Sequence, residues 1–164
     1  MKIPKNVVAL LNTQFKAELE ASYLYLSMSN ALHHFGYDGF AKRMRLQANE
    51  EKEHAMKIFD YMVSRKEQAH LDTIAAPTAE WPSITAVFEN VYAHECLVTT
   101  MVYVLCEKAA TDKDYATVSF MQWYVDEQVE EEKQALDFLM RIKEAQSSPA
   151  ALLTLDELML HTEK

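Results

Sequence analysis

The sequence predicts an all-α fold: a four-helix bundle of two antiparallel hairpins joined by one long crossover, with a short fifth helix at the C-terminal end. Three observations carry this. The chain has 164 residues but only two glycines and four prolines, whereas the turns of a strand-rich fold would need many more breakers. Apolar residues recur in alternating steps of three and four over long stretches, the period of a buried helical face. The breakers cluster at Gly36 and Gly39, at Pro77 and Pro82 and at Pro149, leaving long uninterrupted segments within one domain, 1–164.

The elements follow in order. The first helix is expected from Lys5 to Phe35, stopped at Gly36, and the second from Tyr37 to Lys66, so the two form a hairpin with a very short connection. Gln68 to Pro82 holds two prolines and little periodicity. The third helix is expected from Ser83, a natural N-cap, to Ala110. Thr111-Asp112 turns the chain into the fourth helix, Lys113 to Ala145. Ser148-Pro149 reads as N-cap and first residue of the fifth, which ends near His161. A helix of about 28 residues is roughly 42 Å long, and about 15 extended residues span roughly 50 Å, so the middle connection can run the length of the bundle. Short loops throughout would instead give a simple up-down-up-down bundle.

Composition narrows the function classes. A formal net charge of −9 disfavours nucleic acid and anionic membranes and favours cations. Met1-Lys2-Ile3-Pro4 leads directly into a helical pattern, so no signal peptide is expected, and no apolar run is long enough to span a bilayer. Cys96 and Cys106 fall on one helix roughly 15 Å apart, beyond disulfide reach, which fits a reduced cytoplasmic protein.

The informative feature is a flaw shared by four core stripes. The first helix presents Val8, Leu11, Phe15, Glu18, Ser22 and Tyr25; the second Met44, Gln47, Glu51, His54, Ile58 and Tyr61. The third presents Ile84, Phe88, Val91, Glu95, Val98, Val102 and Leu105; the fourth Met121, Tyr124, Gln128, Glu131, Ala135, Phe138 and Ile142. Each stripe is interrupted near its middle by a carboxylate. Counted from the hairpin turns at 1.5 Å per residue, the interruptions fall within about 8 Å of a common height. Four helices therefore aim Glu18, Glu51, His54, Glu95, Gln128 and Glu131 at one layer of the core. An ionised carboxylate there costs several kcal/mol unless it is paired, and no stripe residue at that level is Lys or Arg. Metal ions are the natural counter-charge. Oxygen ligands with one imidazole and no thiolate suit iron or manganese, and Glu51-x-x-His54 has the ligand spacing of carboxylate di-iron bundles. A lone Glu-x-x-His is usually a solvated pair, and a lone Glu in a stripe usually snorkels, but four such anomalies at one level fit neither explanation.

The residues that carry the chemistry also resemble a known family. Asn49-Glu50-Glu51-Lys52-Glu53-His54, His94-Glu95 and the run Gln122-Trp123-Tyr124-Val125-Asp126-Glu127-Gln128-Val129-Glu130-Glu131-Glu132 are similar to the motifs of bacterial non-haem ferritins, over essentially the whole chain. The resemblance implies iron storage with ferroxidase activity: two irons per subunit, one held by Glu18, Glu51 and His54, with Glu51 bridging to a second held by Glu95 near Glu131. Gln128 would hydrogen-bond close to the oxygen position, and Tyr25 and Trp123 would stand beside the centre as electron donors, although core packing accounts for Trp123 equally well. Glu50, Glu127 and Glu130 match a third iron position, for which an ordinary acidic face is the competing explanation. Haem is not expected, because Lys52 stands where haem-binding relatives carry methionine and the fourth helix has Gln128-x-x-Glu131 in place of a second Glu-x-x-His. The implied partners are ferrous iron, dioxygen or hydrogen peroxide, and like subunits in a shell of twenty-four. Three rivals differ in observable ways. A di-iron enzyme acting on an organic substrate usually has a second histidine ligand or a Cys-rich segment. A silent cage subunit loses the buried ligands. Merely structural buried acids would show no dependence on metal.

Overall fold

The structure, a computed structural model, describes residues 2–161; Met1 and residues 162–164 of the expected domain lie outside it. Among the described residues there are five helices: α1 (Lys5–His34), α2 (Asp38–Ser64), α3 (Ile84–Thr111), α4 (Tyr115–Ala145) and α5 (Pro149–Leu160). The closest pairings are α1 with α2 and α3 with α4, with α1 also packed on α3 and α5 docked on α2 and α4. Among the described residues no helix is long and apolar enough to cross a membrane.

The helix ends differ from expectation by one or two residues because the chain closes them with a specific device. At the end of α1, Gly36 N–H donates to His33 O at 3.0 Å and Tyr37 N–H to Leu32 O at 3.0 Å, with Gly36 at φ 85°. This Schellman geometry satisfies the last carbonyls and needs a left-handed residue. The same pattern ends α2 at Lys66 and α3 at Lys113, but there non-glycine residues take φ 59° and 58°. The expected helix ends Phe35 and Lys66 and starts Tyr37 and Lys113 all belong to these turns. Ser83 and Ser148 cap α3 and α5 as expected, accepting from Ala86 N at 3.1 Å and Ala151 N at 3.3 Å.

The crossover lies along α1. His70 N–H donates to Asn12 Oδ1 at 2.7 Å, Asp72 pairs with Lys16 at 3.6 Å, and Thr78 O accepts from Ser27 Oγ. It therefore delivers α3 to the far end of the bundle, so that the second hairpin docks antiparallel to the first. The core is divided in two. One apolar cluster holds Tyr25, Met28, Leu32, Phe40, Met44 and Phe88 among others; the other holds Val7, Leu11, Phe15, Ile58, Leu105 and Met121. The polar layer lies between them. In α1 the buried face takes in Val7 and Ala21 in place of the expected Val8 and Ser22, which are only half-buried; Ser22 instead donates to Ala48 O at 2.6 Å across the hairpin. Tyr61 and Phe138 sit half-buried at the rim of their stripes.

The fifth helix is fastened to the start of α2. Buried Asp156 accepts from Phe40 N–H at 2.8 Å, capping a helix whose own N-cap residue makes no side-chain bond. Close approach requires glycine: a Cβ at Gly39 would stand 1.8 Å from Asp156 O. Relieving the left-handed strain at Lys113 should stabilise the fold, so Lys113→Gly is expected to add about 1 kcal/mol to the unfolding free energy. Gly39→Ala should act in the opposite direction by about 1–3 kcal/mol through overpacking. Thermal melts of the two variants check both signs.

Candidate metal centre

Each helix contributes to the layer from the middle of its buried face. Glu18 comes from α1, Glu51 and His54 from α2, Glu95 from α3, and Gln128 and Glu131 from α4; all are buried. The structure brings these sequence-predicted residues together. Glu18, Glu51 and His54 each offer a ligand atom within 4.8 Å of the others, and His54 Nδ1 lies 3.3 Å from Glu51 Oε2. Tyr25 donates to Glu95 Oε1. Gln128 Nε2 lies 3.3 Å from Glu95 Oε2 and 3.3 Å from Thr99 Oγ1.

A second set of amides and one cation orients these groups. Gln14 Nε2 donates to Glu18 at 2.8 Å. Gln47 Nε2 donates to Glu51 and Glu131, both at 3.0 Å, tying α2 to α4. Buried Arg43 donates to Gln47 at 3.2 Å and Gln134 at 2.8 Å, so a cation does stand one turn from the layer. Neither Gln14 nor Arg43 belongs to the expected core stripes. Gln14 lies four residues before Glu18 on the same helical face, which is a usable signal. Arg43 sits beside the stripe, joined to it through Gln47 and to α4 through Gln134 and the Phe138 ring, which no spacing rule reveals.

Burial dominates the electrostatics. It lifts the carboxyl of Glu18 well above its ordinary range, helped by the charge of Glu51. It lifts Glu95 to about 8 and Glu131 to about 7, with Glu51 again adding to both. Burial would lift Glu51 too, but the hydrogen bond and charge of His54 hold it below its ordinary value. Burial opposes charge on His54, yet Glu51 raises it overall. Without a metal the layer is thus a Glu51–His54 pair among carboxyls that hold their protons to higher pH than usual, protons that a bound divalent cation would displace.

Glu50, Glu127 and Glu130 lie to the side of the layer rather than within it. With Glu131, Arg43, Gln134 and others they line a cavity of about 610 Å³ between α2 and α4. Glu50 and Glu127 are half-buried and Glu130 exposed. Trp123 packs its indole edge-to-face on His54, ring centroids 5.1 Å apart. Lys52 is exposed.

Residues 8–145 match the ferritin-like domain family. The chain is 45% identical over 143 residues to a bacterial non-heme ferritin of Staphylococcus epidermidis, covering 85% of this chain and 86% of that one. It is 34% identical over 151 residues to the bacterial non-heme ferritin of Escherichia coli, covering 92% of each. Its fold is similar, at TM-score 0.97 and 42% identity, to crystal structures of an open-pore ferritin from the hyperthermophilic archaeon Archaeoglobus fulgidus, covering 99% of this chain and 100% of that one.

The layer makes stability depend on pH in an unusual direction. Glu18, Glu95 and Glu131 hold their protons more tightly folded than unfolded, so the stability they contribute is complete below the ordinary carboxylate range and fades as pH rises through their folded values. His54 acts in the same sense, and Glu51 opposes only at acid pH. The metal-free protein should therefore lose thermal stability between about pH 5 and pH 8. Melting in chelator across that range checks it, and Glu95→Gln should flatten the slope.

Proposed function

The chain belongs to the ferritin-like domain family, and from that premise we propose that it is an iron-storage subunit that oxidises ferrous iron at a buried di-iron centre. The observation that supports this best is the clustered Glu18, Glu51 and His54, in one desolvated layer with Glu95, Gln128 and Glu131. Glu18, Glu51 and His54 hold the first ferrous ion; Glu51 bridges to the second, held by Glu95 with Glu131 beside it. Cation binding displaces the protons of Glu18, Glu95 and Glu131, and the ionised carboxylates balance the charge as iron passes from ferrous to ferric. They suit this work because a carboxylate shifts easily between terminal and bridging modes.

Each ferrous ion gives up one electron, and dioxygen or hydrogen peroxide accepts them. Gln128, fixed between Glu95 and Thr99, presents its amide where the oxidant approaches. Tyr25, bonded to Glu95, and Trp123, packed on His54, stand ready to supply further electrons. The acidic cavity of Glu50, Glu127 and Glu130 takes a third ferrous ion and opens beside Glu131, giving a route between the centre and the α2–α4 face. Ferric product collects within a shell of twenty-four like subunits in the cytoplasm, where Cys96 and Cys106, both unpaired, remain reduced. No haem takes part.

Stopped-flow absorbance tests the reading. Anaerobic protein loaded with ferrous iron and mixed with oxygen should oxidise it far faster than buffer alone. Glu18→Ala, His54→Ala and Glu95→Ala should each slow the initial rate by at least about tenfold. Rates in these variants equal to the parent's would refute the site. Changing Glu50, Glu127 and Glu130 together to Ala should lower the ferrous ions bound per chain by one, measured by anaerobic titration.

A further inference from the structure

Aromatic rings continue beyond Trp123 toward one end of the bundle. Trp123 packs edge-on against Tyr124, centroids 4.8 Å apart, and Tyr124 lies 5.7 Å from Phe120. Phe120 is stacked on Tyr61, 3.9 Å between centroids and 6° from parallel. The array begins at His54 and ends at a half-buried phenol. We propose that Tyr61 is a remote electron donor to the centre, acting through Trp123, with Thr117 and Asp114 as its proton acceptors. The proposal rests on the ferroxidase reading above for its oxidant.

The hydrogen bonds around Tyr61 carry the assignment. A phenol gives up an electron readily only if its proton can leave at the same time. Thr117 donates its one hydroxyl hydrogen to Asp114 Oδ2 at 2.7 Å. In the 2.7 Å contact between Tyr61 and Thr117 Tyr61 must therefore be the donor. Buried Asp114 is held by Arg65 at 3.0 Å, and Arg65 also donates to the Tyr61 oxygen. Tyr124 is nearer the centre but lacks this outlet: its hydroxyl donates to His54 O at 2.6 Å, and a peptide carbonyl does not take a proton.

The charge beside Trp123 favours onward transfer. Lys57 Nζ lies 3.2 Å from the centroid of its ring, so a positive indole radical there is repelled. The step balances. Trp123 gives one electron to the oxygen being reduced at the centre. Tyr61 gives one electron back to Trp123, its proton passes to Thr117 and that of Thr117 to Asp114, leaving a neutral tyrosyl and a protonated carboxyl. A later ferrous ion, the substrate itself, returns the electron along the same rings, and the protons reverse. Phe120 and Tyr124 are not oxidised and serve only as the bridge between Tyr61 and Trp123.

The test separates this proposal from the ferroxidase reading because its first arm needs no iron. With two tryptophans in the chain, a Trp81→Phe background leaves Trp123 as the sole indole. Azidyl radicals produced by pulse radiolysis in the metal-free protein oxidise that indole. Its radical should decay as tyrosyl absorbance grows; Tyr61→Phe should slow that decay severalfold and lower the tyrosyl yield, and Thr117→Val, which keeps the stacked rings, should do the same. Decay and yield unchanged in Tyr61→Phe would overturn the proposal whether or not the protein oxidises iron. In the second arm, freeze-quench electron paramagnetic resonance follows the iron-loaded protein mixed with oxygen. A tyrosyl signal lost in Tyr61→Phe, with a longer-lived indole radical, is expected; rapid iron oxidation with an identical tyrosyl signal would exclude Tyr61 as a donor to the centre.

Discussion

Four carboxylates taken out of water within one layer are the constraint on which this bundle depends. Glu18, Glu51, Glu95 and Glu131 cannot all be ionised at that spacing without a cation. The surrounding protein manages the problem by hydrogen bonding rather than by pairing each charge. Gln14, Gln47 and Gln128 donate amide hydrogens, and Arg43 is held one turn away behind Gln47 and Gln134. The amides orient the carboxyls without neutralising them, which leaves the layer short of positive charge. A lysine at the same height would have supplied that charge within the layer itself.

The same layer explains the divided core. Apolar packing stops on either side of it, leaving one cluster around Tyr25, Phe40 and Phe88 and another around Leu11, Ile58 and Leu105. Aromatic residues border the layer on both sides. Tyr25 and Tyr124 turn their hydroxyls toward Glu95 and the His54 carbonyl, satisfying polar groups that an aliphatic side chain would leave stranded.

Much of this was legible in the sequence because the information is local and periodic. The stripe of α3 is buried at every position from Ile84 to Leu105, and Glu95 stands out within it without any structure. Ser83 and Ser148 mark helix starts by side-chain chemistry that acts over three residues. What was missed is nonlocal or depends on rotation about a helix axis. Val7 in place of Val8 and Ala21 in place of Ser22 are each a shift of one position about the helix axis, a phase that alternating steps of three and four residues do not fix. Asp156 caps α2 from the far end of the chain, and a lone Asp in a short apolar helix gives no sign of its partner. The stacked Phe120 and Tyr61 belong to different hairpins, and each reads by itself as an ordinary core aromatic.

The clasp between α5 and α2 bears on how the chain is made. The bond from Phe40 N–H to Asp156 bridges a sequence separation of 116 residues, so during synthesis the first hairpin emerges with the start of α2 uncapped and the surface at Gly39 bare. Loop-closure entropy rises only slowly with length, but closure must wait until the last helix has left the ribosome. Until then the nascent hairpin also lacks α3 and α4 to cover its half of the carboxylate layer. Acidic residues that face one another across an unfinished bundle stay hydrated, which should keep an incomplete subunit from collapsing onto its neighbours.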